Sequence, residues 1–302
     1  MTKRPGGAIR IGVGGWTYEP WRGTFYPETL PRKQELNYAA GQLTSIEIDG
    51  TYYRLQKPES FARWRDETPD HFVFSLKAPR FCTNRRVLAD AGAAIERFFA
   101  SGMTALQDKL GPINWQFMPT KQFDPEDFAG FLRLLPKRID GLEIRHAVEV
   151  RHASFHSPDF VAIARQHGVA IVLAGDSRYP QIADYTAPFV YVRIMGTQET
   201  EPLGYSSSAL DLWARRARDL AAGVIPHEIR TVAPGKPGAA ARDVYLYVIS
   251  GHKVRNPAAA GELIRRVGEN SSQRAPTARN RSPRAAEGTA VRMIDRHDKA
   301  PE

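Results

Sequence analysis

The chain has 302 residues, of which 42% are hydrophobic, and its 42 lysines and arginines against 33 acidic residues give a formal net charge of +9. This composition indicates a globular protein with a sizeable core, and no apolar run approaches the roughly 20 residues that a membrane-spanning helix needs. The single cysteine, Cys82, excludes an internal disulfide, and the first residues lack the apolar segment of a signal peptide, so we expect a cytoplasmic protein without a membrane partner.

Apolar segments rich in β-branched and aromatic residues alternate with helical patterns along the chain. Strands are predicted at residues 9–14, 45–49, 72–77, 113–117, 148–151, 169–174, 189–194 and 244–249. Helices are predicted at residues 31–43, 58–67, 88–110, 124–135, 158–168, 206–223 and 257–267. Eight strands that alternate with helices predict an α/β fold, a single-domain (β/α)8 TIM barrel over residues 8–268, with a doubly wound sheet as the alternative.

The C-terminal segment, residues 269–302, differs in composition from the rest of the chain. From residue 270 onward it has seven lysines and arginines against four acids and almost no large apolar side chain. Such a segment cannot bury enough apolar surface to fold, so we predict a disordered basic tail. About +6 remains on the barrel, which favours an anionic substrate or nucleic acid, or else serves solubility.

Polar and apolar residues alternate within most of the predicted strands. In the second strand, Ile46 and Ile48 share one face, while Glu47 and Asp49 share the other. Because crossover helices cover the aliphatic face of a parallel sheet, the polar face points into the barrel. The same alternation directs further polar side chains inward: Lys77, Gln116, Glu149, Arg151, Tyr191, Arg193, Tyr245 and Tyr247.

The segment LEIRHAVEVRHASF, residues 142–155, contains the unit Glu-aliphatic-Arg-His twice. A barrel strand of about five or six residues holds only one copy. We assign the second copy, Glu149 to His152, to the carboxyl end of the strand, because a loop-like sequence follows it. The first copy then precedes the strand, and its Arg145 and His146 are surface or structural groups.

Charged side chains fall at or near the carboxyl ends of several predicted strands, where TIM barrels carry their active sites. Burying so many charges is costly unless they bind a ligand, which favours a site, and a self-neutralising ion network is the alternative. We interpret Glu47 and Glu149 as a candidate acid and base, with Lys77 holding one of them ionised. Arg151 and Arg193 are candidate clamps for a phosphate or carboxylate.

Several segments occur in an order typical of one known family: GGWTYEPWRGTFYP, SIEIDGTYYRL, SLKAPR, GPINWQF, VEVRHASF, FVYVRIMG and DVYLYVIS. Over roughly residues 8–268 they resemble the YecE-like family, domain of unknown function 72. The resemblance implies a TIM barrel in a group of soluble bacterial and archaeal proteins whose activity is not established. One departure is the ISGHKVRN turn after the last strand, where family members usually carry an asparagine-bearing turn.

The family's motif positions overlap the inward polar set. We predict the catalytic residues Glu47, Lys77, Glu149 and Asp176, and the substrate-binding residues Trp16, Tyr18, Trp21, Tyr26, Asp49, Gln116, Arg151, His152, Tyr191, Arg193 and Tyr247. The aromatic residues of the WTYEPWRGTFY segment either stack on a base or sugar or form a packed lid over the barrel mouth. The GVGG segment at residues 12–15 lacks dinucleotide-binding spacing and is interpreted as a tight turn.

Two classes of function remain open. The first is an enzyme, a hydrolase or lyase, that acts by acid–base chemistry on a small anionic or phosphorylated substrate at the barrel mouth. The second is a nucleic-acid-binding or -processing protein that uses the basic surface, the aromatic loop and the tail, by analogy with endonuclease IV-like barrels. No cofactor is established, but a divalent metal is an open alternative, with Glu47, Glu149, His152 and Asp176 as its donors.

Overall fold

Eight parallel strands close into a barrel in the computed structural model, which describes residues 7–233, 235 and 240–272. The strands are β1 Ile9–Gly14, β2 Ser45–Ile48, β3 Val73–Lys77, β4 Leu110–Gln116, β5 Arg138–Ile139, β6 Leu142–Glu143, β7 His146–Glu149, β8 Ala170–Gly175, β9 Phe189–Ile194 and β10 Asp243–Val248. β5 and β6 form a separate antiparallel hairpin, and β10 pairs with β1 to close the barrel. The predicted TIM barrel is confirmed, and the doubly wound alternative is excluded.

Helices pack around the barrel. They are α1 Glu35–Gln42, α2 Gly50–Tyr53, α3 Pro58–Asp66, α4 Arg80–Thr83, α5 Gly92–Phe99, α6 Pro125–Arg133, α7 Pro158–His167, α8 Ser207–Ala221 and α9 Asn256–Ser272. The side chain of Asp124 caps α6 and that of Ser206 caps α8, as expected for these residue types. The single helix predicted over residues 88–110 was wrong, because Gly102, at φ 81°, separates α5 from a 3-10 helix at Met103–Lys109.

The barrel wall separates two apolar cores. The outward faces of the strands, including Ile46 and Ile48, pack against the helices. The interior is filled by a second cluster that consists of Val73, Ala147, Ala170, Val172, Phe189, Tyr191, Tyr245, Tyr247 and Ile249. The Tyr247 hydroxyl hydrogen bonds with Ser45 and Ser75 across the interior, at Oη–Oγ distances of 2.7 and 2.6 Å. The predicted inward polar face is therefore confirmed, and Tyr247, a predicted substrate contact, is fully buried in the barrel interior.

The first copy of the repeated unit lies before β7 and at its start, as structural groups. Arg145 donates hydrogen bonds to the Tyr245 hydroxyl and to the Leu110 carbonyl. His146 is buried, its Nδ1 lies 3.1 Å from the Trp115 Nε1 that donates to it, and its Nε2 lies 2.8 Å from the carbonyl oxygen of Pro136. β7 begins at His146, two residues earlier than predicted, because His146 already pairs with Ile113 of β4.

The glycines of the GVGG segment serve two different backbone needs. A Cβ atom on Gly12 would lie 1.7 Å from the carbonyl oxygen of Ser45, so only glycine allows β1 to approach β2 at this position. Gly15 adopts φ +70°, where β1 turns into the following loop. The tight turn was predicted correctly for Gly15, whereas Gly12 and Gly14 lie within the strand.

The last described element is α9, which continues to Ser272, past the predicted domain end at residue 268. Residues 273–302, which make up most of the predicted basic tail, lie outside the described residues. Among the helices that the structure describes, none combines the length and apolar character needed to cross a bilayer.

Candidate active site at the carboxyl ends of the strands

Arg193, on β9, joins the two glutamates that were predicted as acid and base. Its Nη2 donates to Glu47 Oε1 at 2.9 Å, and its Nη1 donates to Glu149 Oε2. Because β2, β7 and β9 are not neighbours in the sheet, these bonds cross the barrel interior. The two glutamates are 0% exposed and Arg193 is 3% exposed, so one positive charge is buried between two negative charges and compensates them in part.

Two uncharged side chains, those of Tyr191 and Asn114, complete the hydrogen bonding of Glu47 and Glu149. The Tyr191 hydroxyl donates to Glu47 Oε2 at 2.5 Å, and Asn114 Nδ2 lies 3.3 Å from Glu47 Oε2 and 3.4 Å from Glu149 Oε2. Burial, and then the adjacent Glu47 carboxylate, raise the pKa of Tyr191, so its phenol stays protonated as a donor. Asn114 was missing from the predicted site, although its inward parity on β4 was a signal that could have found it.

Arg151 extends the network from Glu149 towards solvent. Its Nε and Nη2 lie 2.7 and 2.6 Å from Glu149 Oε1, and Nη2 also donates to Gln116 Oε1 at 2.8 Å. Arg193 reaches the same Gln116 oxygen at 3.3 Å. The Arg151 side chain is 17% exposed and its guanidinium lies 4.6 Å from the centre of the Tyr179 ring, so it is the arginine of this network that a ligand can reach.

The arginines hold Glu149 in its ionised form. Burial alone would raise the pKa of Glu149, but the positive charges of Arg193, Arg151 and Lys77 together outweigh burial and lower the pKa to about 2. At neutral pH this carboxylate has no proton to give and both of its oxygens already accept hydrogen bonds. Glu149 therefore serves as a fixed negative charge that orients Arg193 and Arg151.

Lys77, at the end of β3, lies beside this network and differs from the arginines in its contacts. Its Nζ lies 3.8 Å from Asp49 Oδ1 and 4.4 Å from the centre of the Tyr52 ring, and it makes no hydrogen bond to any residue that the structure describes. The side chain is 11% exposed. Burial, and then the Arg193 charge, lower the pKa of Lys77, against the opposing effect of the nearby carboxylates.

Three buried polar atoms in this region lack a hydrogen-bond partner within residues 7–233, 235 and 240–272. They are Asp49 Oδ1, Asn114 Oδ1 and Arg193 Nε. Leaving a buried donor or acceptor unpaired costs about 1–3 kcal/mol, so such atoms require an explanation. Because all three belong to the cluster around Lys77 and Arg193, the interior offers polar contacts that the protein itself does not use.

The aromatic loop after β1 is packed as a lid and does not form a stacking platform. Trp21 and Tyr26 are fully buried; Trp21 Nε1 donates to the Lys253 carbonyl at 2.9 Å, and the Tyr26 hydroxyl donates to the Trp16 carbonyl at 2.7 Å. Trp16 packs edge-on against two aromatic rings of the outer core. The Tyr18 ring lies 4.5 Å from Lys253 Nζ. Of the two interpretations of this segment, the structure favours the packed lid.

Asp176 and His152 do not join the cluster. Asp176 is exposed, adopts φ 51° just after β8, and accepts a hydrogen bond from Trp213 Nε1 at 2.7 Å. His152 uses its Nδ1 to contact the Ser154 hydroxyl at 2.8 Å and to cap the 3-10 helix that follows. The four predicted metal donors therefore do not converge, and no group of three metal-ligating side chains exists in the described part of the chain.

Comparison with known proteins identifies the family. A sequence profile described as "Protein of unknown function DUF72" matches residues 10–286. The chain belongs to the DUF72 family. The UPF0759 protein YecE of Escherichia coli K12 is 29% identical over 147 residues, and the UPF0759 protein YunF of Bacillus subtilis is 26% identical over 157 residues. These alignments cover 49% and 50% of this chain, and the chain spans about half the length of both relatives, 50% and 54%.

Solved DUF72 structures share the barrel. A DUF72 family protein of Thermotoga maritima superimposes with a TM-score of 0.63 at 19% identity, covering 88% of this chain and 99% of its own. A DUF72 family protein of Enterococcus faecalis gives a TM-score of 0.60 at 15% identity, covering 89% of this chain and 99% of its own. At these identities the likeness establishes the DUF72 fold, and the chemistry has to be argued from the side chains.

Proposed function

We propose that this DUF72 barrel is an enzyme that acts by acid–base chemistry on a small anionic substrate at the carboxyl-end mouth. The observation that carries the proposal is Lys77, a largely buried cation at this mouth whose amine has no hydrogen-bond acceptor among the described residues. A structural lysine in such a position gains its stability from acceptors. The Lys77 amine, which has no such acceptor among the described residues, is therefore available to bind a substrate.

The roles divide between the inner and the outer part of the cluster. Glu47 and Glu149 are enclosed and saturated with hydrogen bonds, so they serve to fix Arg193 and Arg151. Arg151 lies at the outer edge and makes no described hydrogen bond through Nη1, which leaves that nitrogen for a carboxylate or phosphate. Lys77 then transfers the proton, and Asp49, the acid it pairs with, receives or returns it.

A ligand screen on the full-length chain tests this proposal. We expect at least one small carboxylate or phosphate ester to raise the Tm in a saturable manner, because a ligand of the folded state stabilises it by mass action. Lys77→Met and Arg151→Met should each weaken that ligand about tenfold or more, since each removes a charge-assisted contact worth roughly 1.5–3 kcal/mol. The measurement is the shift in Tm against ligand concentration, with inorganic phosphate and pyruvate as the first probes.

Lys253→Met is the matched control, because Lys253 also lies over a tyrosine ring at the same end of the barrel, 4.5 Å from the centre of Tyr18. It should keep the wild-type response. The panel also contains single- and double-stranded oligonucleotides. If only these bind, with an affinity that falls steeply as salt rises, nucleic-acid binding replaces the small-molecule proposal.

A further inference from the structure

We infer that Lys77 acts as a covalent nucleophile, and that the substrate is a small aldehyde or ketone that carries a carboxylate or phosphate. The inference rests on the proposed function, because it uses the same site, and it adds the substrate class and the bond that forms. It depends on the placement of the Lys77 amine, on the contrast with other lysines of low exposure, and on the groups that surround the amine.

The contacts of Lys77 differ from those of two other well-shielded lysines. Lys109 donates to the carbonyl oxygens of Arg65 and Thr68, both at 2.6 Å, and Lys121 donates to Asp127 Oδ2 at 2.6 Å and to a backbone carbonyl at 2.7 Å. Both amines donate short hydrogen bonds, which occupy the nitrogen. Among the described residues, Lys77 Nζ has the ion pair at 3.8 Å and the contact with the Tyr52 ring but no hydrogen bond, so its nitrogen is available for a ligand.

The surroundings of Lys77 favour a neutral amine, which is the form that attacks a carbonyl carbon. The side chain stands in a largely enclosed position over the Tyr52 ring, and burial and the buried Arg193 guanidinium lower the pKa of the amine, while Asp49, Glu47 and Glu149 oppose this effect without reversing it. A desolvated lysine next to another cation is the usual arrangement for an amine that forms a Schiff base. In contrast, Lys121 is paired directly with a carboxylate.

The covalent step needs no group beyond those described. The lone pair of Lys77 Nζ forms a bond to the carbonyl carbon, and the carbonyl π electrons move to oxygen, which takes up a proton while nitrogen loses one. The resulting hydroxyl group then takes a second proton and leaves as water, and nitrogen shares its lone pair to form C=N. The nitrogen thus gives one hydrogen to the oxygen and keeps the other, so the products are a protonated imine and one water molecule. The second proton of that water comes from solvent, and Asp49, whose Oδ1 has no hydrogen-bond partner among the described residues, relays protons between nitrogen, oxygen and solvent.

The imine would explain why an arginine stands at the outer edge of the cluster. Arg151 binds the anionic end of the substrate and so fixes the carbonyl carbon relative to the amine. A protonated imine withdraws electrons from the adjacent carbon, so that a C–H or C–C bond at that carbon can break with its electron pair flowing towards nitrogen. This places the reaction in the lyase or isomerase class rather than among hydrolases.

Reductive trapping tests the inference. The full-length chain is incubated at near-neutral pH with glyoxylate or with glycolaldehyde phosphate in the presence of cyanoborohydride, and the product is analysed by intact mass and peptide mapping. We expect one dominant adduct, on the peptide that contains Lys77, with a mass gain equal to the carbonyl compound less one oxygen atom. The two probes distinguish a carboxylate from a phosphate as the anionic group.

Controls separate this result from general lysine labelling. Glycolate and glycerol phosphate keep the anion but lack the carbonyl group, and they should give no adduct. Lys77→Met should lose the dominant adduct, Arg151→Met should reduce it, and Lys253→Met should retain it. Excess inorganic phosphate should slow the labelling of Lys77 and leave surface lysines unaffected.

The outcomes also distinguish the two proposals. If anionic ligands raise the Tm through Lys77 but the adduct is absent, or is spread evenly over the lysines, the covalent role is overturned and the acid–base enzyme stands. If Lys77 is labelled and phosphate competes, both are supported. If no anion raises the Tm and labelling of Lys77 equals that of surface lysines, both are overturned.

Discussion

Replacing Arg193 by methionine is expected to lower the free energy of unfolding by about 3–5 kcal/mol, the usual cost of removing one partner of a buried ion pair. The substitution leaves Glu47 and Glu149 at 0% exposure without the cation that bridges them. Arg151 still compensates Glu149, so the charge of Glu47 carries most of the penalty. Urea denaturation at neutral pH, followed by circular dichroism, measures the loss.

A double-mutant cycle provides the control. Glu47→Gln removes the charge that Arg193→Met leaves uncompensated, so the double variant should be more stable than Arg193→Met alone. Strict additivity of the two single changes, or a loss below about 0.5 kcal/mol for Arg193→Met, would contradict the bridging role.

The buried cluster of Glu47, Glu149 and Arg193 could be predicted from the sequence, because strand parity and barrel closure both restrict where side chains lie. Period-two alternation directs Glu47, Glu149 and Arg193 inward without any knowledge of their neighbours. Once eight parallel strands close, inward residues near the carboxyl ends have only a narrow interior in which to meet. The same reasoning placed Lys77 and Gln116 correctly in the interior.

Parity gives no information beyond the end of a strand, so the positions of side chains in the loops could not be predicted from the sequence. Asp176 follows β8 by one residue, but its backbone at φ 51° turns the carboxylate towards Trp213. Trp21 and Tyr26 were taken as substrate contacts, yet their burial depends on how a long loop packs against residues distant in sequence. Such contacts have no periodic signature.

Short elements escaped prediction for a related reason. The hairpin β5–β6 has two residues in each strand, and α2 and α4 have four residues each, too few for a hydrophobic period to emerge. Two of them are next to site residues in the chain. The hairpin ends at Glu143, shortly before β7 begins at His146, and α2 follows directly after Asp49, the acid that pairs with Lys77.

Lowering the pH from 6.5 to about 4 is expected to remove about 3 kcal/mol of stability through His146 alone. Burial lowers the pKa of His146 from 6.5 to about 4, with the hydrogen bond to Pro136 opposing this effect. Below pH 6.5 His146 is protonated in the unfolded chain but still neutral in the folded protein. The unfolded state therefore binds more protons, and acid favours unfolding. The contribution is fully present above pH 6.5 and is lost as the pH falls to about 4.

His146→Gln isolates this effect, because a glutamine can accept from Trp115 Nε1 and donate to the Pro136 carbonyl as the neutral imidazole does, without titrating. Unfolding free energies of both proteins, measured in urea across this pH range, should differ little above pH 6.5, and the wild-type protein should become the less stable of the two as the pH falls to about 4. Glu149, whose pKa is lowered from 4.5 to about 2, contributes stability that is lost as the pH falls from about 4.5 to about 2, but this loss is common to both proteins and cancels in their comparison. Equal pH slopes for the two proteins would contradict the prediction, because they would mean that His146 takes up its proton as readily in the folded barrel as in the unfolded chain.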